Sequence, residues 1–124
     1  MYLKKCLLLL PFLMASFVHA QTPRDISALR SVRLHVGDKV LVKFDQHASV
    51  GLYADYKVAN ERIVKYVETK SEFVNPQVPN MVGNDAAKGQ YIFQALARGT
   101  TQIKVRRMFR MKVENEKNIT IIVR

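Results

Sequence analysis

The stretch GQYIFQALARGTTQIKVRRMF, residues 89–109, has the clearest periodicity in the chain. Tyr91, Phe93 and Ala95 alternate with Gln90, Ile92 and Gln94. Thr101, Ile103 and Val105 alternate in the same way with Gln102, Lys104 and Arg106. A period of two sends successive side chains to opposite faces of a pleated backbone, so each run predicts a β-strand. Ala97-Arg98-Gly99 breaks the alternation and predicts a turn between them. The expectation is a hairpin at the centre of the core. The basic-aromatic cluster Arg106-Arg107-Met108-Phe109-Arg110 follows it as the working surface.

The same pattern continues outward in both directions. Val32, Leu34 and Val36 form one alternating run, and Val40, Val42 and Phe44 form another across the Gly37-Asp38 turn. These two strands make either a hairpin or a strand that switches sheets at the turn. His35 falls on the polar face and points to solvent. DQHASVG, residues 45–51, is a loop. Apolar and aromatic character resumes over 52–58, a turn follows at 59–62, and a short strand over 63–67 can continue to Phe73. Residues 75–88 lack a period and carry Pro76, Pro79, Gly83 and Asn84-Asp85, which predicts a long loop, either functional or a plain surface excursion. Residues 111–117 are highly charged and read as a loop. Ile119, Ile121 and Val123 make a final strand. Short strands with turn signals between them, and no helical period, predict an all-β immunoglobulin-like antiparallel β-sandwich over 32–124.

The chain has 124 residues, enough for one domain. Residues 1–20 have the pattern of an export signal. Lys4 and Lys5 precede an apolar run, and Val18-His19-Ala20 ends in the spacing a signal peptidase reads. A membrane anchor is the rival, but the run is short for a bilayer. Cleavage after Ala20 predicts a periplasmic or secreted protein that does not span a membrane. Residues 21–31 read as a polar arm. The lone cysteine, Cys6, lies inside the signal, so the remainder has no thiol, disulfide or cysteine-ligated metal. Removing Lys4 and Lys5 from 20 basic residues leaves 18 against 10 acidic ones, a net charge of +8. That charge favours anionic partners, including an anionic envelope component, while export argues against nucleic acid.

No catalytic set is visible. His35 and His47 lack a second ligand at metal spacing, no serine lies in a nucleophile elbow, and no glycine-rich phosphate loop occurs. Neither cofactor nor metal is expected, and Asp45 with His47 is the sole acid–base pair worth weighing. Binding is then the expectation, carried by loops on a rigid scaffold. Arg107 and Phe109 are residue types that dominate interface energetics, although Phe109 could equally close the core and Arg107 could be a solvated charge.

With these residues assembled, the chain resembles the chagasin-like family of cysteine peptidase inhibitors over roughly 32–123. The strongest likeness is residues 89–109, with Gly99-Thr100-Thr101 at the turn and a basic-X-aromatic triplet at the end. The resemblance implies an exported immunoglobulin-like sandwich whose three loops enter the active-site cleft of a papain-like cysteine peptidase. The family's Asn-Pro-Thr-Thr-Gly loop would correspond to His47, Ala48, Ser49, Val50 and Gly51, where Gly51 is identical and Ser49 keeps a hydroxyl. Its glycine-rich loop would correspond to Gly83, Asn84 and Asp85. Its Arg-Pro-Trp or Arg-Pro-Phe loop would correspond to Arg107, Met108 and Phe109. Ala48 and Met108 stand where the family has proline. Beside the inhibitor reading stand two others: a non-inhibitory immunoglobulin-like module of an envelope or secretion machinery, and an anion-binding domain.

Overall fold

The computed structural model describes residues 22–75 and 85–124. Residues 1–20, read above as an export signal, therefore lie outside the described residues, as do Gly83 and Asn84. Among the described residues eight strands run in chain order: β1 (Arg24–Asp25), β2 (Ser31–Leu34), β3 (Lys39–Gln46), β4 (Leu52–Val58), β5 (Val64–Phe73), β6 (Ala87–Ala95), β7 (Gly99–Phe109) and β8 (Lys112–Val123). They form two four-stranded sheets, ordered β1-β3-β6-β5 and β2-β8-β7-β4. The fold is an all-β immunoglobulin-like sandwich.

In 89–109 the core-facing half of the alternation holds, Ile92 on the other face is buried as well, and the expected pairing does not hold. Tyr91, Phe93, Ala95, Thr101 and Ile103 are all buried, as their period requires. Yet β6 bonds to β3 and β5, and β7 bonds to β4 and β8. The expected hairpin is instead a crossing from one sheet to the other, made by Leu96-Ala97-Arg98. The amide of Leu96 donates to the Ile63 carbonyl at 2.7 Å, which turns the chain out of its sheet. Gly99 completes the corner at φ 145°, where a Cβ would come within 2.6 Å of Ile63 Cδ1. Each half of the stretch is thus a central strand, and the core lies between them.

The same rule separates β2 from β3, which lie in different sheets, so the sheet-switching alternative is the correct one. The turn between them is fixed by the Asp38 carboxylate accepting from the His35 amide at 2.8 Å. Gly37, at φ 98°, donates to the Ala95 carbonyl.

Two expectations are corrected. The described part of the 21–31 arm, residues 22–31, does not hang free: β1 pairs in parallel with β3, β2 pairs in parallel with β8, and Ile26 between them is fully buried. A single isoleucine in a polar run has no period to reveal it. The Ser27 hydroxyl accepts from the Lys43 amide at 2.8 Å, and Lys117 Nζ donates to the Ser27 carbonyl. The charged 111–117 segment is not a loop either. Apart from Met111 it is strand, paired along β7 from Lys112 onward. Here ion pairs replace hydrophobic periodicity: Arg107 Nε lies 2.8 Å from Glu114, and Lys104 Nζ lies 3.5 Å from Glu116.

The core is aliphatic at one end and aromatic toward the other. Val40, Val64, Ile103, Ile119 and Ile121 surround Phe93. Beyond them Phe44 stacks on Tyr91 with centroids 4.3 Å apart, and Tyr56 stacks on Tyr66 at 4.8 Å. Gly89 is the register partner of Phe44, and any Cβ there would collide with the Phe44 ring. Burial pushes the Tyr91 hydroxyl up to about 12, with the neighbouring Asp55 charge adding to the effect.

Candidate functional site

Three connections meet at one end of the sandwich. The register sets this directly: Gln46 at the end of β3, Phe73 at the end of β5 and Ala87 at the start of β6 lie in one row. In the facing sheet Leu52 opens β4 opposite Phe109, the last residue of β7. The 47–51 loop joins the two rows, so it sits between the other two connections.

That loop is tightly wound. Ala48–Val50 is one 3-10 turn. The His47 amide donates to the Leu52 carbonyl at 2.9 Å, and the Leu52 amide returns a bond to the His47 carbonyl at 3.1 Å. Gly51 closes the turn at φ 87°, a left-handed conformation that favours glycine. Its neighbour also demands a small residue, since a Cβ on Gly51 would stand 3.1 Å from Arg110 Cγ.

Both flanking connections are bonded to this loop. On one side Ser49 Oγ donates to Asp85 Oδ1 at 2.6 Å, and the Ser49 amide donates to Asp85 Oδ2 at 2.9 Å. His47 Nε2 lies 3.2 Å from Asp85 Oδ1. The Ser49 bonds hold the Asp85 carboxyl below the usual carboxylate range. On the other side the Arg110 amide donates to the Gly51 carbonyl at 2.8 Å. The 74–86 connection is closed at its base by the Val74 amide donating to the Ala86 carbonyl.

The third connection differs from the expectation. Arg107-Met108-Phe109 is strand, and the turn itself is Arg110-Met111, at φ 49° and 71°. Two left-handed residues between paired Phe109 and Lys112 make the tight turn that matches strand twist. Asparagine and glycine normally fill such positions, so Arg-Met carries no sequence signal for it. Met111 projects as the tip, 88% exposed. Phe109 is also exposed rather than closing the core, and the Arg110 guanidinium lies 5.1 Å from its ring centroid. Arg107 is a paired charge, held by Glu114. Val50, Phe73 and Val74 are exposed at the same end.

Ser49, His47 and Asp85 are the residue types of a hydrolytic triad, but their order is not that of one. A triad needs imidazole between hydroxyl and carboxylate. Here hydroxyl and imidazole both turn to Asp85 Oδ1, so the carboxylate is the hub and the cluster acts as a clasp. Asp85, from the next connection, is a carboxylate that His47 approaches. Among the described residues no group of three metal-ligating side chains comes together. No helix of the described residues is long and apolar enough to cross a membrane.

The described residues thus form an immunoglobulin-like sandwich in which the 47–51 loop is bonded to its two neighbouring connections at one end. No protein-family model matches the chain, and no curated protein sequence does. Solved structures do match. The crystal structure of the cysteine protease inhibitor EhICP2 from Entamoeba histolytica superposes with a TM-score of 0.60 at 14% identity. The match covers 76% of this chain and 86% of that one. The solution structure of amebosin superposes with a TM-score of 0.53 at 12% identity, covering 86% of this chain and 100% of that one. The fold is chagasin-like.

Proposed function

We propose that the protein is a reversible inhibitor of papain-like cysteine peptidases, exported by its N-terminal segment to the periplasm or the exterior. The 47–51 loop would approach the catalytic thiol, with Asp85 and the β7–β8 turn against the two walls of the cleft. One observation carries this reading: Ser49–Asp85 and Gly51–Arg110 join three loops into a single rim at the apolar end of a chagasin-like fold.

The bonds also address the missing prolines. Ordering a loose loop on binding costs affinity, and proline reduces that cost by stiffening the free state. In this chain the stiffening comes from elsewhere. The mutual His47–Leu52 bonds, the left-handed Gly51 and the Asp85 clasp hold Ala48–Val50 in a compact turn. A compact turn does not offer the extended backbone that a peptidase cleaves, which suits an occupant that remains intact.

The test is inhibition of papain and a cathepsin-type enzyme by the chain from residue 21 onward, with Phe109→Ala and Ser49→Arg beside it. Wild-type inhibition at micromolar protein, weakened roughly tenfold or more by each substitution, is the expected outcome. A folded wild type that leaves several papain-like enzymes fully active at that concentration rejects the reading.

A further inference from the structure

Each sheet has two edges. β1 and β2 are edges of two and four residues, and the β4 edge has its acid, Asp55, already held by Arg106 at 2.8 and 2.5 Å. β5 is ten residues long and, among the described residues, pairs on one side only, with β6. Its other side is an open row of backbone donors and acceptors that a further strand can take up.

The pairing with β6 decides which residues form that row. The Val74 amide donates to the Ala86 carbonyl, and in an antiparallel ladder bonded pairs alternate with unbonded ones. Lys70 and Glu72 therefore turn their backbone toward β6, while Thr69, Ser71 and Phe73 turn theirs toward the free edge. The side chains sort with the same period. Thr69 stands beside Tyr91 on the inner face, whereas Lys70 and Glu72 stand on the outer face beside Gln90 and Lys88. Neither Lys70 nor Glu72 enters an ion pair among the described residues.

This edge is complementary to itself. Two copies laid antiparallel about Ser71 set Thr69 opposite Phe73 and Ser71 opposite Ser71, and each such pair exchanges two backbone bonds. Between them Lys70 of each copy faces Glu72 of the other, at the unbonded positions where side chains come closest. Other registers lose the match. Centring the pair on Lys70 sets Lys70 against Lys70 and Glu68 against Glu72. Centring it on Thr69 brings the bulge at Val67 opposite Ser71. Charges guard an edge when each register brings like charges together, but here one register joins unlike charges at both outer positions. The same register gives a neighbour to Phe73, which is 46% exposed.

We propose that the protein forms a two-fold dimer through β5, which joins the β1-β3-β6-β5 sheets of two copies into one continuous sheet. The inference goes beyond the inhibitor reading and does not depend on it. A contact of one strand is small, so the dimer belongs to the weak, transient class. The experiment is analytical ultracentrifugation of the chain from residue 21 onward, at up to roughly 500 μM, beside Lys70→Glu and Glu72→Lys. The wild type is expected to show a concentration-dependent dimer. Each substitution sets like charges opposite one another twice and should weaken it about tenfold or more. An equimolar mixture of the two variants has unlike charges at both positions again and should dimerise about as strongly as the wild type. Misfolded variants would not give that recovery. A wild type that stays monomeric over this range overturns the proposal. So does a dimer that both substitutions leave within about twofold, or a mixture that remains monomeric. Slow amide exchange at Thr69, Ser71 and Phe73 in the monomer assigns the free edge to another segment of the same chain and overturns it as well.

Discussion

Ser49 and Asp85 meet through two hydrogen bonds that use both carboxylate oxygens, one from the serine hydroxyl and one from its amide. Neither residue is in a strand, and together with His47 Nε2, 3.2 Å from Asp85 Oδ1, they tie the 47–51 loop to the next connection through side chains. The clasp is solvent-accessible, so its worth lies in loop order rather than in global stability.

Removing the carboxylate should therefore show locally. Asp85→Ala is expected to leave the melting temperature within a few degrees of wild type while amide exchange at Ser49 and Val50 rises severalfold. The pH dependence has the same sign. A carboxyl held below its usual range contributes its order above the ordinary carboxylate pKa and loses it as pH falls through the lowered one. The protection factor at Ser49, its exchange relative to the unstructured rate at the same pH, should thus be high at neutral pH and fall only in strongly acidic buffer. If Ser49 exchange is unchanged in the variant, the clasp does not hold the loop in solution.

Tyr91 supplies a prediction at the opposite end of the pH scale. Its hydroxyl is raised to about 12, so the fold favours the neutral form. The contribution is complete below the ordinary tyrosine pKa of about 10 and is lost as pH rises through the raised value. Stability by denaturant titration should decline between these values. Tyr91→Phe keeps the ring stacked on Phe44 and should flatten the part of that decline due to Tyr91. A slope identical to wild type would contradict the assignment.

The β7–β8 turn stores backbone strain. Met111 sits at φ 71° in a conformation that costs a non-glycine residue about 1–2 kcal/mol. Met111→Gly is expected to recover roughly 1 kcal/mol in chemical denaturation, offset in part by the greater freedom of glycine in the unfolded chain. A clear loss of stability would mean that the exposed methionine packs on something in solution.

Gly89 and Phe44 form a matched pair, with no room between ring and backbone. Gly89→Ala should cost about 1–3 kcal/mol by displacing the Phe44 ring from its stack on Tyr91. Combining it with Phe44→Leu should cost less than the two separate losses summed. Strict additivity would show that the two positions do not share the space.

These residues also mark how far the sequence is readable. The core-facing residues followed the period-two pattern, because which face a side chain takes is a local property, while Leu41 and Ile92 are buried on the other face of their sheet against that pattern. Pairing did not follow it, because it depends on what lies across the molecule: β6 and β7 are neighbours in sequence yet take partners from opposite sheets. Ile26 was hidden by being a single apolar residue, and residues 112–117 by holding their register with ion pairs. At the loop end, Ser49, Gly51, Asp85 and Phe109 could be singled out from the family likeness. The register shift of β8 between Val113 and Asn115 could not, since it has no residue signature. The Arg110-Met111 turn was equally silent, having neither glycine nor asparagine.

The parallel pairing of β2 with β8 has a mechanical consequence. Ser31 bonds alongside Thr120 and Leu34 alongside Val123, so the two strands point the same way. Tension applied upstream of β2 and downstream of β8 draws them past one another lengthwise. The hydrogen bonds between them then share the load together instead of opening one at a time from an end. Along that line of pull the sandwich is built to resist, with the short β2 and the long β8 acting as a shear clamp.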